Sequence, residues 1–235
     1  MVATNLVMVT GAGGNLGAAV VGLLAARGTC LVAIERTESA LDRIMTGLPG
    51  AEEHLGVAGT DLRDPRACVA LVESALRRFG RIDGLVHTVG GFAMAGIDAA
   101  DPAHWAGQFE VNVATALNMC RAVVPAMRAA GRGSIVTVGS AAASRGGKGM
   151  AAYAASKSAV LRLTESMADE LKGEGVRVNC VLPGTIDTPQ NRTAMPKADA
   201  SRWVTPAQIA EVVAFLLSDA ASGVTGAGIP VTGRG

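Results

Sequence analysis

The sequence predicts an α/β fold: a doubly wound parallel β-sheet with helices on both faces, formed as a single domain by residues 1–235. Short apolar segments alternate along the chain with longer segments whose apolar residues recur at helical spacing, a pattern typical of βαβ units. Hydrophobic residues make up 49% of the chain and charged residues only 17%, as a sheet buried on both faces requires. The length suits one such domain, and no linker or repeat interrupts the alternation.

The first four predicted strands alternate with three helices. Gly28 and Gly80 follow the first and third helices, where a left-handed residue commonly ends a helix, and Pro65 opens the third. The predicted strands cover residues 6–9, 31–34, 54–58 and 85–89, and the predicted helices cover residues 16–27, 39–46 and 65–79.

The second half of the chain repeats this alternation. Its first helix is long, either continuous or in two pieces, and is expected to end near Gly131. The next helix is expected to end at Gly173, and residues 183–204 form the one irregular stretch. The predicted helices cover residues 102–129, 151–172 and 206–217, and the predicted strands cover residues 134–138, 176–181 and 228–231.

A glycine-rich turn, Thr-Gly-Ala-Gly-Gly-Asn-Leu-Gly over residues 10–17, joins the first strand to the first helix. Glycines in such a turn let the backbone approach a pyrophosphate, which then lies at the positive end of the helix. The strand before and the helix after provide the context that this motif needs. The candidate cofactor-binding residues of the turn are Gly11, Gly13, Gly14, Asn15, Leu16 and Gly17.

Acidic residues after strands two and three are candidates for the adenosine half of a dinucleotide. Glu35 can accept hydrogen bonds from both ribose hydroxyls, and its charge would repel a 2′-phosphate, which favours NAD over NADP. Arg36 keeps NADP possible, because a guanidinium can stack on adenine or pair with that phosphate. Asp61, followed by Leu62, can contact an adenine edge or serve as an ordinary turn residue.

The most informative pair of residues is Tyr153 and Lys157, which share one helix face a turn apart. An ammonium beside a phenol favours the phenolate, so we expect Lys157 to lower the pKa of Tyr153 and make it an acid/base near neutral pH. Ser140, 13 residues upstream at the end of an apolar strand, would hydrogen-bond the substrate oxygen. Together with the glycine turn, these residues indicate an enzyme that moves a hydride between a nicotinamide and a small alcohol or ketone.

Two further polar residues lie within predicted elements. Asn112 is in the middle of a helix, where asparagine is a poor helix former. It can hold a water that links Lys157 to solvent, or it can mark a kink or a buried side-chain bond. His87 lies within strand four, where we expect a hydrogen-bonded structural histidine rather than a catalytic one.

Composition argues against several classes of function. The formal net charge is +1 without a basic cluster, so we expect no nucleic acid partner, and no apolar stretch approaches the roughly 18 residues of a membrane span. Residues 1–8 lack the features of a signal peptide. The cysteines are scattered singly without metal-site spacing, so we expect reduced thiols in a cytoplasmic protein and no metal; they are Cys30, Cys68, Cys120 and Cys180.

These motifs, in this order, resemble the short-chain dehydrogenase/reductase family over residues 5–233. The resemblance implies a single Rossmann domain that binds NAD(P) and a catalytic tetrad of Asn112, Ser140, Tyr153 and Lys157. In this family Lys157 would also reach the nicotinamide ribose. The family's cofactor-binding stretch after strand six falls on four residues, of which the last two would touch the carboxamide end of the nicotinamide: Pro183, Gly184, Ile186 and Thr188.

The chain departs from the family pattern at two places. Asn15 replaces the middle glycine of Thr-Gly-x-x-x-Gly-x-Gly, and we expect the turn to survive because asparagine tolerates the left-handed conformation. The usual Asn-Asn-Ala-Gly after strand four, which steadies the sheet beside the cofactor, reads His-Thr-Val-Gly over residues 87–90. Gly90 is thus retained as a candidate cofactor-binding residue.

Three functions fit these observations. The first is an NAD(P)-dependent oxidoreductase of a secondary alcohol or its ketone, and the second is a 3-oxoacyl-carrier-protein reductase that uses NADPH and docks its acidic carrier at Arg128 and Arg132. The third is an NAD-binding sensor or scaffold without turnover, which would not need the tetrad. The resemblance also implies a homo-oligomer, a tetramer or a dimer, formed by pairing the helices 102–129 and 151–172.

Overall fold

The computed structural model describes residues 5–234. Seven strands form one parallel sheet in the order β3-β2-β1-β4-β5-β6-β7. This is the doubly wound arrangement that the sequence predicts. The strands are β1 (Leu6–Thr10), β2 (Cys30–Glu35), β3 (Leu55–Ala58), β4 (Gly84–His87), β5 (Gly133–Val138), β6 (Val176–Pro183) and β7 (Gly228–Val231).

The order of strands reverses beside β1, which pairs with β2 on one side and with β4 on the other. A crevice therefore opens at the carboxyl ends of β1 and β4, where ligands bind in open α/β sheets. All five residues of β1 are buried, and so are all four of β4. The crevice therefore lies at the end of the two fully buried central strands.

Helices cover both faces of the sheet and bury two separate apolar layers against it. Side chains of α3, α5 and α6 form one layer, and side chains of α1, α2 and α8 form the other. The helices are α1 (Asn15–Ala26), α2 (Glu38–Met45), α3 (Pro65–Phe79), α4 (Pro102–Phe109), α5 (Thr115–Ala130), α6 (Ala151–Leu171), α7 (Pro189–Ala194) and α8 (Pro206–Leu217).

The structure differs from the predicted elements where tertiary contacts override local pattern. The long helix is α4 and α5 joined through a π-helical segment, Glu110–Ala114. β4 ends at His87, so residues 88 and 89 leave the sheet. After α6 the chain makes a short 3-10 turn, and the left-handed residue is Gly175 rather than Gly173.

The stretch predicted to be irregular, residues 183–204, contains structure of its own. Its start extends β6 to Pro183, and Ile186 forms a bridge with Val204 that draws the two ends of the stretch together. Between them lies α7, whose first turn is capped by the Thr188 hydroxyl accepting from the Asn191 N–H. Among the described helices, none is long and apolar enough to cross a membrane.

Candidate active site

The glycine turn between β1 and α1 is held by close backbone approach. Gly11 has a φ of 68°, and a Cβ atom on Gly17 would lie 2.0 Å from the Gly11 carbonyl oxygen. Gly14 caps α1 in an extended conformation without a side-chain hydrogen bond. The turn thus needs glycine at positions 11 and 17, as the motif predicts, and it leaves the helix N-terminus open to an anion.

Asn15 is tolerated for a different reason from the one expected. It is the first residue of α1, and no non-glycine residue in the described chain has a positive φ. Left-handed tolerance is therefore not what preserves the turn. Asn15 fits because it has ordinary helical geometry. Its Nδ2 donates to Gln190 Oε1 on α7 over 2.9 Å, and this bond links the exposed side of the turn to the stretch after β6. Leu16 is buried in the layer beneath α1.

Glu35 reaches the glycine turn. Its Oε2 accepts from the Gly13 N–H over 2.7 Å, and its Oε1 accepts from the Arg36 N–H over 2.7 Å. A Cβ atom on Gly13 would lie 2.8 Å from Glu35 Oε2, so glycine at position 13 makes room for this carboxylate. The Arg36 side chain is exposed beside it.

Asp61 behaves as a turn residue. Its carboxylate accepts three hydrogen bonds from the Arg63 guanidinium and one from the Arg63 backbone N–H, and these interactions lower its pKa to about 2. Leu62 is buried in the core, and its carbonyl accepts from Asn118 Nδ2. Of the two alternatives left open by the sequence, this geometry favours the ordinary turn over an adenine contact.

The residues of the reacting end come together at the carboxyl ends of β4 and β5. Tyr153 and Lys157 share one face of α6, and Ser140 follows β5 at the start of the segment that leads to α6. The Ser140 hydroxyl lies near enough to the Tyr153 phenol to act on its pKa. The Ser140 hydroxyl also accepts from the Ala142 N–H over 3.1 Å, which fixes its orientation.

The expected lowering of the Tyr153 pKa by Lys157 is wrong. The pKa of Tyr153 is raised, because burial disfavours the phenolate more than the nearby Ser140 hydroxyl stabilises it. Lys157 is itself buried, with 5% of its surface exposed, and its Nζ donates to the Val138 carbonyl over 2.9 Å. Burial lowers the pKa of this ammonium to about 8. The hydrogen bond to Val138 uses one of its three N–H groups and leaves two for other acceptors.

Asn112 lies in the π-helical segment, and its amide makes three hydrogen bonds. Its Oδ1 accepts from the Gly91 N–H over 2.9 Å, while its Nδ2 donates to the Gly91 carbonyl and to Ser156 Oγ. Of the roles predicted for Asn112, these bonds support a buried side-chain hydrogen bond. The π-helical segment shows that the helix is also irregular at this residue. A Cβ atom on Gly90 would lie 2.8 Å from Asn112 Oδ1 and 2.9 Å from Lys157 Nζ. Gly90 therefore lets the loop after β4 pass between these two side chains.

The segment that departs from the family pattern after β4 is tied to the glycine turn. His87 Nδ1 lies 2.9 Å from Thr10 Oγ1, and its Nε2 lies 3.2 Å from Thr115 Oγ1. Thr88 Oγ1 donates to the Thr10 carbonyl over 2.7 Å. The structural role expected for His87 is confirmed, and burial lowers its pKa to about 3. Different side chains thus steady the same part of the sheet.

The predicted cofactor-binding residues after β6 lie between the end of that strand and the first turn of α7. Gly184 packs so closely on the residue after β7 that a Cβ atom there would lie 3.1 Å from Thr232 Cα. Pro183 is buried at the end of β6, and Thr188 is buried at the start of α7. Ile186 is half-buried.

Sequence reasoning missed two residues of the site. The Phe92 ring meets the Tyr153 ring edge to face, with centroids 4.8 Å apart and planes at 90°. Gln190 is the partner of Asn15. An aromatic residue in an uncharged loop directly after a central parallel strand was a usable signal for Phe92. Gln190 carried none.

The residues present fit a dinucleotide. The turn at residues 11–17 offers bare backbone at a helix N-terminus, Glu35 supplies a carboxylate at the end of β2, and Lys157 keeps two unused N–H groups beside Gly90. These are the features that phosphate, ribose and a second ribose require. Within residues 5–234, no cluster of three or more His, Cys, Asp or Glu side chains is arranged to hold a metal ion.

Comparison with known proteins identifies the family. The family model "short chain dehydrogenase" matches residues 5–199. A 3-oxoacyl-acyl-carrier-protein reductase of Thermotoga maritima is 34% identical over 237 residues, covering 96% of this chain and 95% of that protein. A cis-4-hydroxycyclohexanecarboxylate dehydrogenase of Sinomonas cyclohexanicum is 35% identical over 241 residues, covering 98% of this chain and 96% of that protein.

Solved structures give the same result. The crystal structure of NAD⁺-bound xylitol dehydrogenase superposes with a TM-score of 0.91 at 29% identity, covering 99% of this chain and all of that one. The chain therefore belongs to the short-chain dehydrogenase family and is an NAD(P)-dependent oxidoreductase acting on CH–OH groups.

Proposed function

We propose that this protein interconverts a secondary alcohol and its ketone, with Tyr153 as the acid/base and NAD as the preferred cofactor. The observation that carries this proposal is that Tyr153 lies one helical turn from the buried ammonium of Lys157, with Ser140 near enough to act on the pKa of the phenol. A hydroxyl, a phenol and an ammonium at one crevice supply an oxygen-binding group, a proton carrier and a positive charge.

Each side chain then has one task. Tyr153 passes a proton to or from the substrate oxygen, and Ser140 holds that oxygen in place. The nicotinamide cofactor, when bound, accepts or supplies the hydride. Lys157 binds the nicotinamide ribose through the two N–H groups that Val138 does not use. Asn112 anchors the loop after β4 through Gly91, which keeps Gly90 beside the ammonium.

Preference for NAD rests on the position of Glu35. Its carboxylate lies at the glycine turn, where the extra phosphate of NADP would meet a negative charge. The exposed Arg36 is the group that would oppose this preference. The other cofactor contacts in the proposal are the turn at residues 11–17, Gly90, and the residues Pro183, Gly184, Ile186 and Thr188; Asp61 and Leu62 contribute least, because the Asp61 carboxylate is paired with Arg63.

Titration with NADH and NADPH, followed by nicotinamide fluorescence, tests the cofactor. We expect NADH to bind at least tenfold more tightly, about 1.4 kcal/mol, and Glu35→Gln to reduce that ratio. Equal or tighter binding of NADPH to the wild-type protein would assign the choice to Arg36.

Substitution of Tyr153 by Phe tests the acid/base. We expect turnover to fall by roughly 10²–10⁴-fold, the range for loss of general acid–base catalysis, with NADH affinity unchanged. Unchanged behaviour in every assay would instead favour a nucleotide sensor without turnover.

The carrier-protein reductase alternative has support from the Thermotoga maritima relative and less from the surface. Arg128 is paired with Glu174, and Arg132 lies 3.1 Å from Asp83. The two residues considered for docking an acidic carrier thus already have acidic partners in this chain. Turnover of an acyl-carrier-protein substrate with NADPH would establish this alternative.

The remaining expectations extend the same proposal. We place the enzyme in the cytoplasm, where its thiols stay reduced; Cys68, Cys120 and Cys180 are free and buried.

The chain acts as one catalytic domain and pairs with copies of itself along α4, α5 and α6. Phe109 and Leu117 expose 37% and 36% of their surface there. Light scattering that shows a monomer at micromolar concentration would contradict the oligomer.

A further inference from the structure

The loop after β4 carries the most exposed apolar side chains among the large hydrophobic residues of the described chain. Within residues 91–97, here named the mouth segment, Phe92 exposes 57% of its surface, Met94 61% and Ile97 80%. No charged residue lies between positions 90 and 97. A cluster of exposed apolar side chains on a protein surface commonly marks a binding site.

Hydrogen bonds hold the mouth segment in place at two points. Asn112 binds both the N–H and the carbonyl of Gly91, and the Ala95 N–H donates to the Gly149 carbonyl over 3.0 Å. Gly149 has a φ of 72°, and a Cβ atom there would lie 3.2 Å from Met94 Cε. The apolar side chains therefore stand on a fixed backbone between β4 and the segment that leads to α6.

Phe92 joins this surface to the reacting group. Its ring contacts only one other aromatic ring in the described chain, that of Tyr153, in the edge-to-face geometry that aromatic pairs prefer. The contact limits rotation of the tyrosine ring and covers part of it from water. More than half of the Phe92 surface still faces solvent, so it remains available to an apolar group next to the reacting carbon.

We propose that Phe92 positions Tyr153 and, with Met94, forms an apolar wall that selects substrates carrying an alicyclic or aryl group beside the carbonyl. The inference rests on the proposed function of Tyr153. An apolar ring on the substrate would cover the exposed surface of Phe92 and Met94. The hydroxyls of a polyol would lose water there without gaining a partner.

The positioning role can be tested without turnover, because Tyr153 is the only tyrosine in the chain. Ring-labelled tyrosine gives a single nuclear magnetic resonance signal, and the absorbance of tyrosinate reports its ionisation alone. We expect Phe92→Ala to shift the ring signal and to lower the raised pKa of the phenol towards its usual value, since burial is the cause of the rise. Phe92→Leu, which keeps apolar bulk, should lower the pKa less.

Ile97→Ala is the matched control, because Ile97 lies in the same segment and is the most exposed. It should leave the tyrosine signal and its ionisation unchanged. All these variants retain the titratable groups on the elements around Tyr153, which are Asp98, His104, Glu110, Arg145, Lys148, Lys157 and Cys180. A tyrosine signal and pKa identical in Phe92→Ala and wild type would overturn the positioning role.

Substrate selection is tested with cyclohexanone and erythrulose, a four-carbon polyol ketone, each reduced with NADH. We expect kcat/KM to be at least tenfold higher for cyclohexanone, and Phe92→Ala to remove most of that ratio mainly by raising the KM for cyclohexanone. Preference for erythrulose, or an equal loss for both ketones in Phe92→Ala, would overturn the apolar wall.

Failure of the proposed function would be distinguishable from failure of this inference. If NADH binds but neither ketone is reduced, the proposed reaction fails for these substrates. Binding of cyclohexanol and threitol in the presence of NAD⁺ is then compared through the Tyr153 ring signal. A shift caused by cyclohexanol and not by threitol supports the apolar wall, and the absence of a cyclohexanol shift at saturating concentration overturns it.

Discussion

The two ends of the crevice are built in different ways. At the nucleotide end, the turn at residues 11–17 is shaped by backbone approach, with room for no Cβ atom at Gly17. At the reacting end, polar side chains from distant parts of the chain are buried together, as with Asn112 on Gly91 and Lys157 on Val138. The first end depends on the absence of side chains, and the second depends on the hydrogen bonds of particular ones.

Substitution of Gly17 by Ala should have the largest effect, because the new methyl group would lie 2.0 Å from a carbonyl oxygen. We expect a loss of roughly 4 kcal/mol or more in the free energy of unfolding, as for severe overpacking, together with loss of NADH binding. Urea denaturation and fluorescence titration measure the two effects.

Gly22→Ala is the matched control in the same helix. A Cβ atom there meets nothing within 4 Å, so the substitution should be neutral or should stabilise the protein by up to about 1 kcal/mol. Similar losses in both variants would show that close approach is not what shapes the nucleotide end.

Lys157→Met tests the reacting end, and activity and stability should change in opposite directions. Turnover should fall at least about a hundredfold, because the ammonium contributes charge and ribose contacts. In the folded state the lysine pKa drops from 10.5 to about 8 through burial, so the unfolded chain binds more protons between these values. Unfolding free energy therefore rises with pH across that window, and below pH 8 the buried charge destabilises the fold by roughly 3 kcal/mol.

The Met variant removes that charge and keeps apolar bulk. It should be more stable than wild type at pH 7, by on the order of 2 kcal/mol after loss of the hydrogen bond to Val138. Urea denaturation at pH 7 and pH 10 measures this, and the gain should shrink at pH 10. A Met variant less stable than wild type at pH 7 would mean that the buried ammonium stabilises the fold, and would contradict the expected destabilisation.

The same contrast explains what the sequence could predict. The strands, α3 and α8 follow from apolar runs bounded by glycine and proline, and the glycine turn is a local motif, so these were predicted closely. Tyr153 and Lys157 were predicted because their spacing puts them on one helix face, and Ser140 because it follows an apolar strand. The partners of Asn112, the rise in the pKa of Tyr153 and the contact of Phe92 depend on which distant residues pack together. Spacing along the chain carries no information about such contacts.

His87 connects the two ends inside the protein, between Thr10 below the glycine turn and Thr115 at the start of α5. Burial holds its pKa near 3, against 6.5 for the ordinary side chain. Between these values the unfolded chain binds a proton that the folded protein does not, so stability falls as pH falls, by about 1.4 kcal/mol per pH unit. In His87→Asn, with the residue usual in this family, that part of the slope should disappear in urea denaturation between pH 6.5 and pH 4. Equal slopes in the two proteins would place the acid sensitivity elsewhere.

The smallest effect is expected at the exposed link between the two sides of the crevice, Asn15 and Gln190. A neutral hydrogen bond in water contributes about 1 kcal/mol or less, so Asn15→Ala and Gln190→Ala should each speed NADH dissociation by roughly two- to fivefold in stopped-flow measurements. The double variant should match the single ones, because either substitution already breaks the bond. Thr193→Ala is the control on α7, since its hydroxyl bonds only within that helix, to the Pro189 carbonyl.

The double variant and the control decide whether the link acts on NADH release. If the effects of the two substitutions on the dissociation rate multiply, or if Thr193→Ala has the same effect, then α7 responds to loss of its own stability and the link from Asn15 does not restrain it. If they do not multiply, the residue that replaces the family's glycine restrains the stretch after β6, and the link between Asn15 and Gln190 then helps to set how long NADH stays bound.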